Sequence, residues 1–230
     1  MIKKLNIFSI YPVIDQEYCD FINKDVFKIV EEIGKFYESI RGKYLDEKFL
    51  IQYRNKKDSE EVFLFKSKDV LDICEKFNLN LMINDQVEIA KKINARGVHL
   101  GQSDILYWRE KGIIKNNFEE LKKYLGNEKI IGISAENVEQ ALEAQNLGAD
   151  YVGISAVFST NTKRDVKAMG IEGVRKIVDK VKISKVAIGG INRGNMGEVL
   201  DCGVDSVAMV SEICGAESVG ERMRNVIRNL

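Results

Sequence analysis

Residues 129–155 read KIIGISAENVEQALEAQNLGADYVGIS, and this stretch sets the pattern for the whole chain. A short apolar segment, Lys129–Ser134, is followed by an amphipathic segment, Val138–Gly148, and then by a second apolar segment, Tyr151–Ser155. Short runs rich in β-branched residues are typical of parallel strands that are covered by helices. Asn137 suits the N-cap position of the helix, and the glycine that closes the amphipathic segment suits the position just after it. The stretch therefore predicts one strand–helix–strand unit.

The same unit recurs along the chain. The predicted strands are Leu5–Ile14, Phe49–Arg54, Leu79–Asn84, Gly97–Gly101, Lys129–Ser134, Tyr151–Ser155, Lys185–Gly189 and Ser206–Val210. Amphipathic segments separate them, and Asp25–Ile40 has its apolar residues at the i, i+3, i+4 spacing of a helix. Such repetition within 230 residues favours an α/β fold, a single (β/α)8 TIM barrel over residues 1–230, with residues 1–48 as its first unit. A doubly wound open sheet is the alternative.

The charge balance and the apolar runs argue against several classes of protein. Lysine plus arginine number 35 and aspartate plus glutamate number 35, so no overall field draws the chain to nucleic acid or to an anionic membrane. No apolar run approaches the roughly 18 residues that span a bilayer, and the N-terminus lacks the features of a signal peptide. We expect a cytoplasmic protein, with a homo-oligomer left open. The four cysteines have no metal-binding spacing, and Cys74 and Cys202 fit small core positions.

The second predicted strand carries polar residues on one face. At a period of two, Gln52, Arg54 and Lys56 share a face, while the aromatic and aliphatic residues between them share the other. If the apolar face packs on helices, the two cations point into the mouth of the barrel, where an anion must balance them. This pattern predicts a phosphate or diphosphate site. The alternative is a solvated loop that carries surface charges.

Carboxylates follow the next two predicted strands. Asp85 comes directly after Asn84, and Asp104 comes shortly after the fourth strand. Both leave the barrel at the same rim, so together with a substrate phosphate they can hold Mg²⁺. Alternatively, each aspartate is a helix N-cap. His99, the only histidine, lies between apolar neighbours within its strand, which favours a packed, hydrogen-bonded side chain over a general base.

The ends of the later strands carry hydroxyl groups and glycine. After strand six, Thr160-Asn161-Thr162-Lys163 places hydroxyl groups beside a cation, a combination that suits phosphate. Strand seven ends in Gly189-Gly190, which lets an anion approach backbone amides, and strand eight ends in Val210-Ser211. Since the loops after strands seven and eight often bind phosphate in TIM barrels, these ends predict a second anion site.

Taken together, these short motifs resemble those of the thiamine phosphate synthase family. They occur in the family's order between about Phe49 and Gly215, and they are specific jointly rather than singly. The motifs are Gln52-x-Arg54-x-Lys56, Ile83-Asn84-Asp85, Gly97-Val-His-Leu-Gly-Gln102-x-Asp104, Gly132-Ile-Ser134, Thr160-x-Thr162-Lys163, Ala187-Ile-Gly-Gly-Ile191 and Val210-Ser211.

The resemblance implies an enzyme that joins an aminopyrimidine methyl diphosphate to a thiazole phosphate, or to its carboxylated form, and releases pyrophosphate by a Mg²⁺-assisted dissociative reaction. By resemblance, the pyrimidine diphosphate is held by Gln52, Arg54, Lys56, Asn84, Ser134 and Lys163. Of these, Arg54, Lys56, Ser134 and Lys163 are the expected catalytic residues. The expected Mg²⁺ ligands are Asp85 and Asp104. The thiazole phosphate is expected to contact Thr160, Asn161, Thr162, Gly190, Val210 and Ser211.

The first part of the chain departs from the family pattern. Gln86 stands where the family usually has arginine, the approach to the second strand lacks the usual glycines, and the segment from Asp15 to Lys48 is longer than expected. Two alternatives on the same barrel remain open at this point. One is a thiazole tautomerase, and the other is a non-catalytic regulator that binds thiazole phosphate. Retention of Arg54 and Asp104 argues against a tautomerase, which needs no diphosphate or metal site.

Overall fold

Eight parallel strands form a closed barrel in the computed structural model, which describes residues 4–44, 47–126, 128–160 and 167–228. Each strand pairs with the next along the chain, and the last pairs with the first, so the sheet has no open edge. The strands are β1 (Ile10–Asp15), β2 (Leu50–Arg54), β3 (Asn80–Asn84), β4 (Gly97–Leu100), β5 (Ile130–Ala135), β6 (Tyr151–Ile154), β7 (Ser184–Ile188) and β8 (Ser206–Met209). The predicted (β/α)8 TIM barrel is confirmed, and closure excludes the doubly wound sheet.

Helices follow the strands and cover the outside of the barrel. They are α1 (Gln16–Phe21), α2 (Val26–Ile40), α3 (Glu60–Lys76), α4 (Val87–Lys92), α5 (Gln102–Glu110), α6 (Phe118–Leu125), α7 (Val138–Asn146), α8 (Gly170–Val178), α9 (Met196–Leu200), α10 (Ser211–Cys214) and α11 (Val219–Ile227), with a 3-10 helix at Arg41–Lys43. Asn137 caps α7 as predicted, since its side chain accepts a hydrogen bond from the backbone of Gln140. Within the described ranges, no helix is long and apolar enough to cross a membrane.

Alternation along each strand divides the apolar residues into two cores. On β2, Ile51 and Tyr53 point outward and pack against the helices, while Leu50 belongs to the smaller core inside the barrel. That inner core also contains Tyr11 and Tyr151. The four cysteines are free and buried, as expected for small core residues. Because the outward positions of β2 are apolar, its polar positions face the interior and the mouth, as the period of two predicts.

The first strand is shorter at its start than the sequence pattern indicates. β1 begins at Ile10 rather than at Leu5, and it extends one residue further, to Asp15. Upstream of it, the amide of Phe8 donates to the carbonyl of Lys48 at 3.1 Å, and Ile7 forms only an isolated bridge with that residue. Residues 5–9 therefore close the amino-terminal end of the barrel without joining its sheet. The bounds of the other seven strands lie within one residue of those predicted.

The start of β4 leaves no room for a side chain, which gives a direct test of barrel packing. A Cβ atom on Gly97 would lie 2.0 Å from the carbonyl oxygen of Ile130 and 2.8 Å from the side chain of Met82. We expect Gly97→Ala to lower the free energy of unfolding by about 1–3 kcal/mol, as overpacking commonly does. Gly197→Ala is the control, because no atom lies within 4 Å of its Cβ position. That variant should be neutral or stabilising by about 0.5–1 kcal/mol. Urea denaturation measures both changes, and equal effects would contradict this account of the packing.

Candidate active site

A cavity of about 380 Å³ opens at the carboxyl ends of the strands, which is the size of a small-molecule site. It brings together the predicted site residues that the structure describes. These are Gln52, Arg54, Lys56, Asn84, Asp85, Asp104, Ser134, Thr160, Gly190, Val210 and Ser211. The other three predicted residues, Asn161, Thr162 and Lys163, lie outside the described residues. The cavity is the common mouth in which the polar strand ends were expected to meet.

Both cations of the Gln52-x-Arg54-x-Lys56 motif lie beside a carboxylate. Arg54 forms an ion pair with Asp15, which is only 2% exposed, and the Nζ atom of Lys56 lies 3.0 Å from Oδ2 of Asp85. Asp15 also caps α1 by accepting a hydrogen bond from the amide of Tyr18 at 2.9 Å. A guanidinium group has five N–H donors, so a carboxylate that takes one of them orients the group and leaves others for a ligand. Arg54 is therefore held in place before any anion arrives.

Asp15 is a site residue that the sequence analysis missed. It is the last residue of β1 and lines the cavity. Its place at the carboxyl end of the first strand matches that of the polar residues at the ends of the other strands. The signal was a charged residue directly after the apolar run that ends at Ile14. It was overlooked because the predicted strand stopped one residue earlier, which left Asp15 in the following segment.

Asp85 and Asp104 form a close pair of carboxylates. Burial and the neighbouring Asp85 carboxylate raise the pKa of Asp104 from 3.8 to about 6, against the opposing effects of a hydrogen bond from Gly101 and the charge of Lys56. The Gly101 amide donates to Asp104 at 2.8 Å, so Asp104 also stabilises the start of α5. The alternative interpretation of the two aspartates as N-caps is wrong, because Gly101 is the N-cap of α5 and Gln86 is that of α4. A cation would stabilise two carboxylates that repel each other in a partly buried position.

The donor set suits Mg²⁺ better than a metal held by protein alone. In the described part of the chain, no group of three or more histidine, cysteine, aspartate or glutamate side chains could hold a metal ion. Mg²⁺ is usually bound by one or two carboxylates, with phosphate oxygens and water completing its shell. Asp85 and Asp104 therefore fit Mg²⁺ that arrives with a phosphorylated ligand, and this role remains a prediction.

The opposite side of the cavity presents backbone and hydroxyl groups. Gly189 and Gly190 follow β7 with φ of 110° and 64°, in the region that favours glycine. A Cβ atom on Gly190 would lie 2.6 Å from the carbonyl oxygen of Ser159, so the chain can pass here only as glycine. The side-chain amide of Asn195 holds this turn by donating to the carbonyl of Gly190 at 3.0 Å. Thr160 and Ser211 lie on the same side, as expected for the second anion site.

A chain of hydrogen bonds crosses the floor of the cavity, and we call it the interior chain. It runs from Gln52 through Tyr11, Tyr151 and His99 to Ser134. His99 is therefore packed and hydrogen-bonded, as its neighbours in the sequence predict. Neither tyrosine was expected at the site, because an aromatic residue within an apolar strand gives no sign of its hydroxyl partners. Burial raises the pKa of Tyr11 to about 12 and raises the pKa of Tyr151 well above its usual value, so both phenols stay protonated.

Comparisons with known proteins point to one family. The family model described as thiamine monophosphate synthase matches residues 10–213. A thiamine-phosphate synthase of Clostridium novyi is 44% identical over 71% of this chain and 76% of its own length. One from Clostridium tetani is 36% identical over 92% and 90%, respectively. Among solved structures, a thiamine phosphate pyrophosphorylase from Pyrococcus furiosus matches with a TM-score of 0.76 and 32% identity, over 96% of this chain and 94% of that one.

The Asp104 carboxylate gives a prediction about stability without metal. The folded chain binds this proton more tightly than the unfolded chain, because the pKa is about 6 instead of 3.8. Ionisation therefore costs stability as the pH rises from about 4 to about 6, and the cost persists above that range. We expect Asp104→Asn to raise the melting temperature of the chelator-treated protein at pH 7, and the gain should shrink as the pH falls towards 4. Added Mg²⁺ should stabilise the wild-type protein and not the variant.

Asp58→Asn is the matched control, because an ion pair with Lys66 lowers the pKa of Asp58. Its folded-state pKa is depressed, so ionisation adds stability, and the variant should melt at a lower temperature at pH 7. Thermal denaturation followed by circular dichroism measures both variants. A shift of the same sign in the two, or an equal response to Mg²⁺ in wild type and Asp104→Asn, would contradict the assignment.

Proposed function

The chain belongs to the thiamine monophosphate synthase family, and we propose that its site couples a pyrimidine diphosphate to a thiazole phosphate. It is a thiamine-phosphate synthase, a transferase of thiamine biosynthesis, as its relatives are. The observation that carries the proposal for the site is the division of one cavity into two anion-binding halves. One half has cations and paired carboxylates, and the other has glycine backbone and hydroxyl groups.

The half beside β2 suits the pyrimidine diphosphate. Arg54 and Lys56 supply positive charge, and the carboxylates next to them keep that charge balanced while no ligand is bound. Gln52, Asn84 and Ser134 supply neutral hydrogen-bonding groups around the same space. Lys163 would add a further cation by resemblance to the family. A diphosphate that enters can take up the donors of both cations, because each keeps N–H groups beyond those used by its carboxylate.

Mg²⁺ would be held by Asp85 and Asp104 together with oxygens of the diphosphate. When bound, it would neutralise charge that builds up on the departing diphosphate. Lys56 lies 3.0 Å from Asp85, so the lysine and the two aspartates can act on the same group of oxygens. Their charges balance only in part without a cation, which supports the metal site on electrostatic grounds.

The half beside β7 and β8 suits the thiazole phosphate. Gly190 lets a phosphate come close to the backbone, and Ser211 and Thr160 bring hydroxyl groups to the same side. Val210 supplies an apolar surface beside them. Asn161 and Thr162 complete this set by resemblance to the family. Here neutral donors suffice, because a monophosphate carries less charge than a diphosphate.

The proposed reaction is dissociative. The bond between the pyrimidine methylene carbon and the diphosphate oxygen breaks, and the diphosphate leaves with the electron pair. The thiazole nitrogen then supplies its lone pair to the methylene carbon, and the new C–N bond gives thiamine phosphate. Arg54, Lys56 and Ser134 stabilise the charge on the departing group, which is the main contribution such a site can make. The described lining includes many charged and hydrogen-bonding groups that can stabilise a departing diphosphate, and the proposed reaction needs no protein nucleophile.

The two alternatives from the sequence receive less support. A tautomerase or a silent regulator needs no paired cations and no paired carboxylates, and this site has both. The relatives at 36–44% identity are thiamine-phosphate synthases. A cytoplasmic location and the state of assembly remain predictions, as does the role of the extended first unit.

The decisive experiment is to incubate the purified protein with both substrates and Mg²⁺ and to measure thiamine phosphate. We expect product that depends on both substrates and is accompanied by an equal amount of pyrophosphate. A folded protein that forms no product would overturn the proposal, and binding of thiazole phosphate alone would then favour the regulator.

Neighbouring lysines on one loop provide a matched pair of variants. Lys56 lines the cavity, whereas Lys57 pairs with Asp20 at 3.0 Å and points away from it. We expect Lys56→Ala to lower kcat/KM for the pyrimidine diphosphate on the order of a hundredfold, the effect of removing one charge-stabilising donor. Lys57→Ala should change it by less than about twofold, since exposed ion pairs contribute little. Steady-state kinetics measure both, and similar losses in the two would show that general charge, not position, matters.

A further inference from the structure

The interior chain links two residues that the proposed function assigns to the pyrimidine diphosphate. Nε2 of Gln52 donates to the hydroxyl of Tyr11 at 3.3 Å, and the hydroxyls of Tyr11 and Tyr151 are 3.0 Å apart. The Tyr151 hydroxyl lies 3.0 Å from Nδ1 of His99, and Nε2 of His99 lies 2.9 Å from Oγ of Ser134. Four hydrogen bonds thus connect β2 to β5 across the floor of the barrel.

The order of donors in the interior chain follows from its first member. The amide nitrogen of Gln52 can only donate, so it occupies an acceptor position on the Tyr11 oxygen. Among the described residues, the other hydrogen-bond partner of that hydroxyl is Tyr151 at 3.0 Å, so we assign the proton of Tyr11 to this contact. The proton of Tyr151 is then directed at the other group it contacts, which is His99. Both tyrosine hydroxyls therefore donate their hydrogen bonds in the same direction, away from Gln52 and towards His99.

This order sets the tautomer of His99. Nδ1 accepts a hydrogen bond from Tyr151, so a neutral imidazole carries its hydrogen on Nε2 and donates it to Oγ of Ser134. The Ser134 hydroxyl is then an acceptor towards His99, and its own proton is available to the cavity that Ser134 lines. A donor pointing into an anion site is the orientation that a diphosphate oxygen requires.

We propose that His99 is a positioning residue that holds the Ser134 hydroxyl as a donor towards the diphosphate. The inference rests on the proposed function, which puts Ser134 beside that group. In this arrangement His99 acts through its hydrogen bonds to Tyr151 and Ser134, and its proposed role includes no proton transfer. With a hydrogen on Nε2 of His99, the Ser134 hydroxyl cannot donate to the imidazole. The orientation in which Ser134 would present only lone pairs to an anion is thereby excluded.

The barrel makes room for this arrangement at two glycines. A Cβ atom on Gly153 would lie 2.8 Å from Cε1 of His99, and one on Gly132 would lie 2.0 Å from Cζ of Tyr151. The two rings stack with their centroids 5.6 Å apart, in the space that the absent side chains leave. The backbone of Ser134 is held as well, because the side chain of Gln102 donates to its carbonyl at 2.6 Å. Both the backbone and the hydroxyl of Ser134 are thus oriented by neighbours.

Two substitutions of His99 separate positioning from packing. His99→Gln brings an amide nitrogen near the position of Nε2, so it can still donate to Ser134. His99→Asn reaches only the position of Nδ1, so it can bond to Tyr151 but not to Ser134. The readout is the affinity for pyrophosphate in the presence of Mg²⁺, measured by calorimetry, together with KM for each substrate.

We expect Ser134→Ala to weaken pyrophosphate binding about tenfold, the effect of losing a hydrogen bond to a charged group. His99→Asn should give most of that loss, and His99→Gln should restore binding to within about threefold of wild type. KM for thiazole phosphate should stay unchanged in all three. In the Ser134→Ala background, His99→Asn should cause no further loss, because the hydroxyl it positions is gone.

Equal losses in His99→Asn and His99→Gln would overturn the inference, and so would additive losses with Ser134→Ala. Unaltered pyrophosphate binding by Ser134→Ala, or no binding by the wild-type protein, would overturn it too. Failure of the proposed coupling looks different: the wild-type protein would bind pyrophosphate with the expected pattern among its variants, but it would form no thiamine phosphate.

Discussion

Pairing between β8 and β1 closes the sheet, and the positions of the functional groups depend on that contact. Ile10 pairs with Val207 and Pro12 with Met209, so the carboxyl end of β1 lies beside the end of β8. Every buried strand then has a partner on both sides, and all eight carboxyl ends reach the same rim. Closure therefore brings groups far apart in sequence into one cavity without any loop having to carry them there.

Charge within the cavity is arranged in opposed pairs rather than as one positive surface. Arg54 has Asp15 beside it, and Lys56 has Asp85, so each of these cations has a carboxylate as its neighbour. Asp104 lies beside Asp85, and burial together with that neighbouring carboxylate raises its pKa. The described lining has these two cations and four carboxylates, so the position of each charged group, and not the total charge, governs how an anion can bind.

The sequence predicts the barrel and most of its rim, because both depend on local patterns. Short apolar runs marked seven of the eight strands to within one residue, and charged groups at strand ends marked Arg54 and Asp85. The interior chain lay beyond such reasoning. In the sequence, Tyr11 and Tyr151 occupy positions typical of core residues. The contact between their hydroxyls joins positions 140 residues apart, which no local pattern can show. Asp15 was missed because the predicted first strand ended one residue too early. An error of one residue at a strand end is enough to move a carboxylate from the rim of the barrel to the following segment.

Closure by the last strand also bears on how the protein is made. While a ribosome is still synthesising β8, the emerged part of the chain has at most seven strands, and β1 and β7 both present unpaired edges. The cavity is complete only when Val207 and its neighbours reach β1, nearly 200 residues after Ile10 leaves the exit tunnel. The nascent chain therefore spends much of its synthesis with unpaired strand edges exposed, and these edges can pair with other chains. Chaperones have more exposed edge to cover at this stage than in the closed barrel.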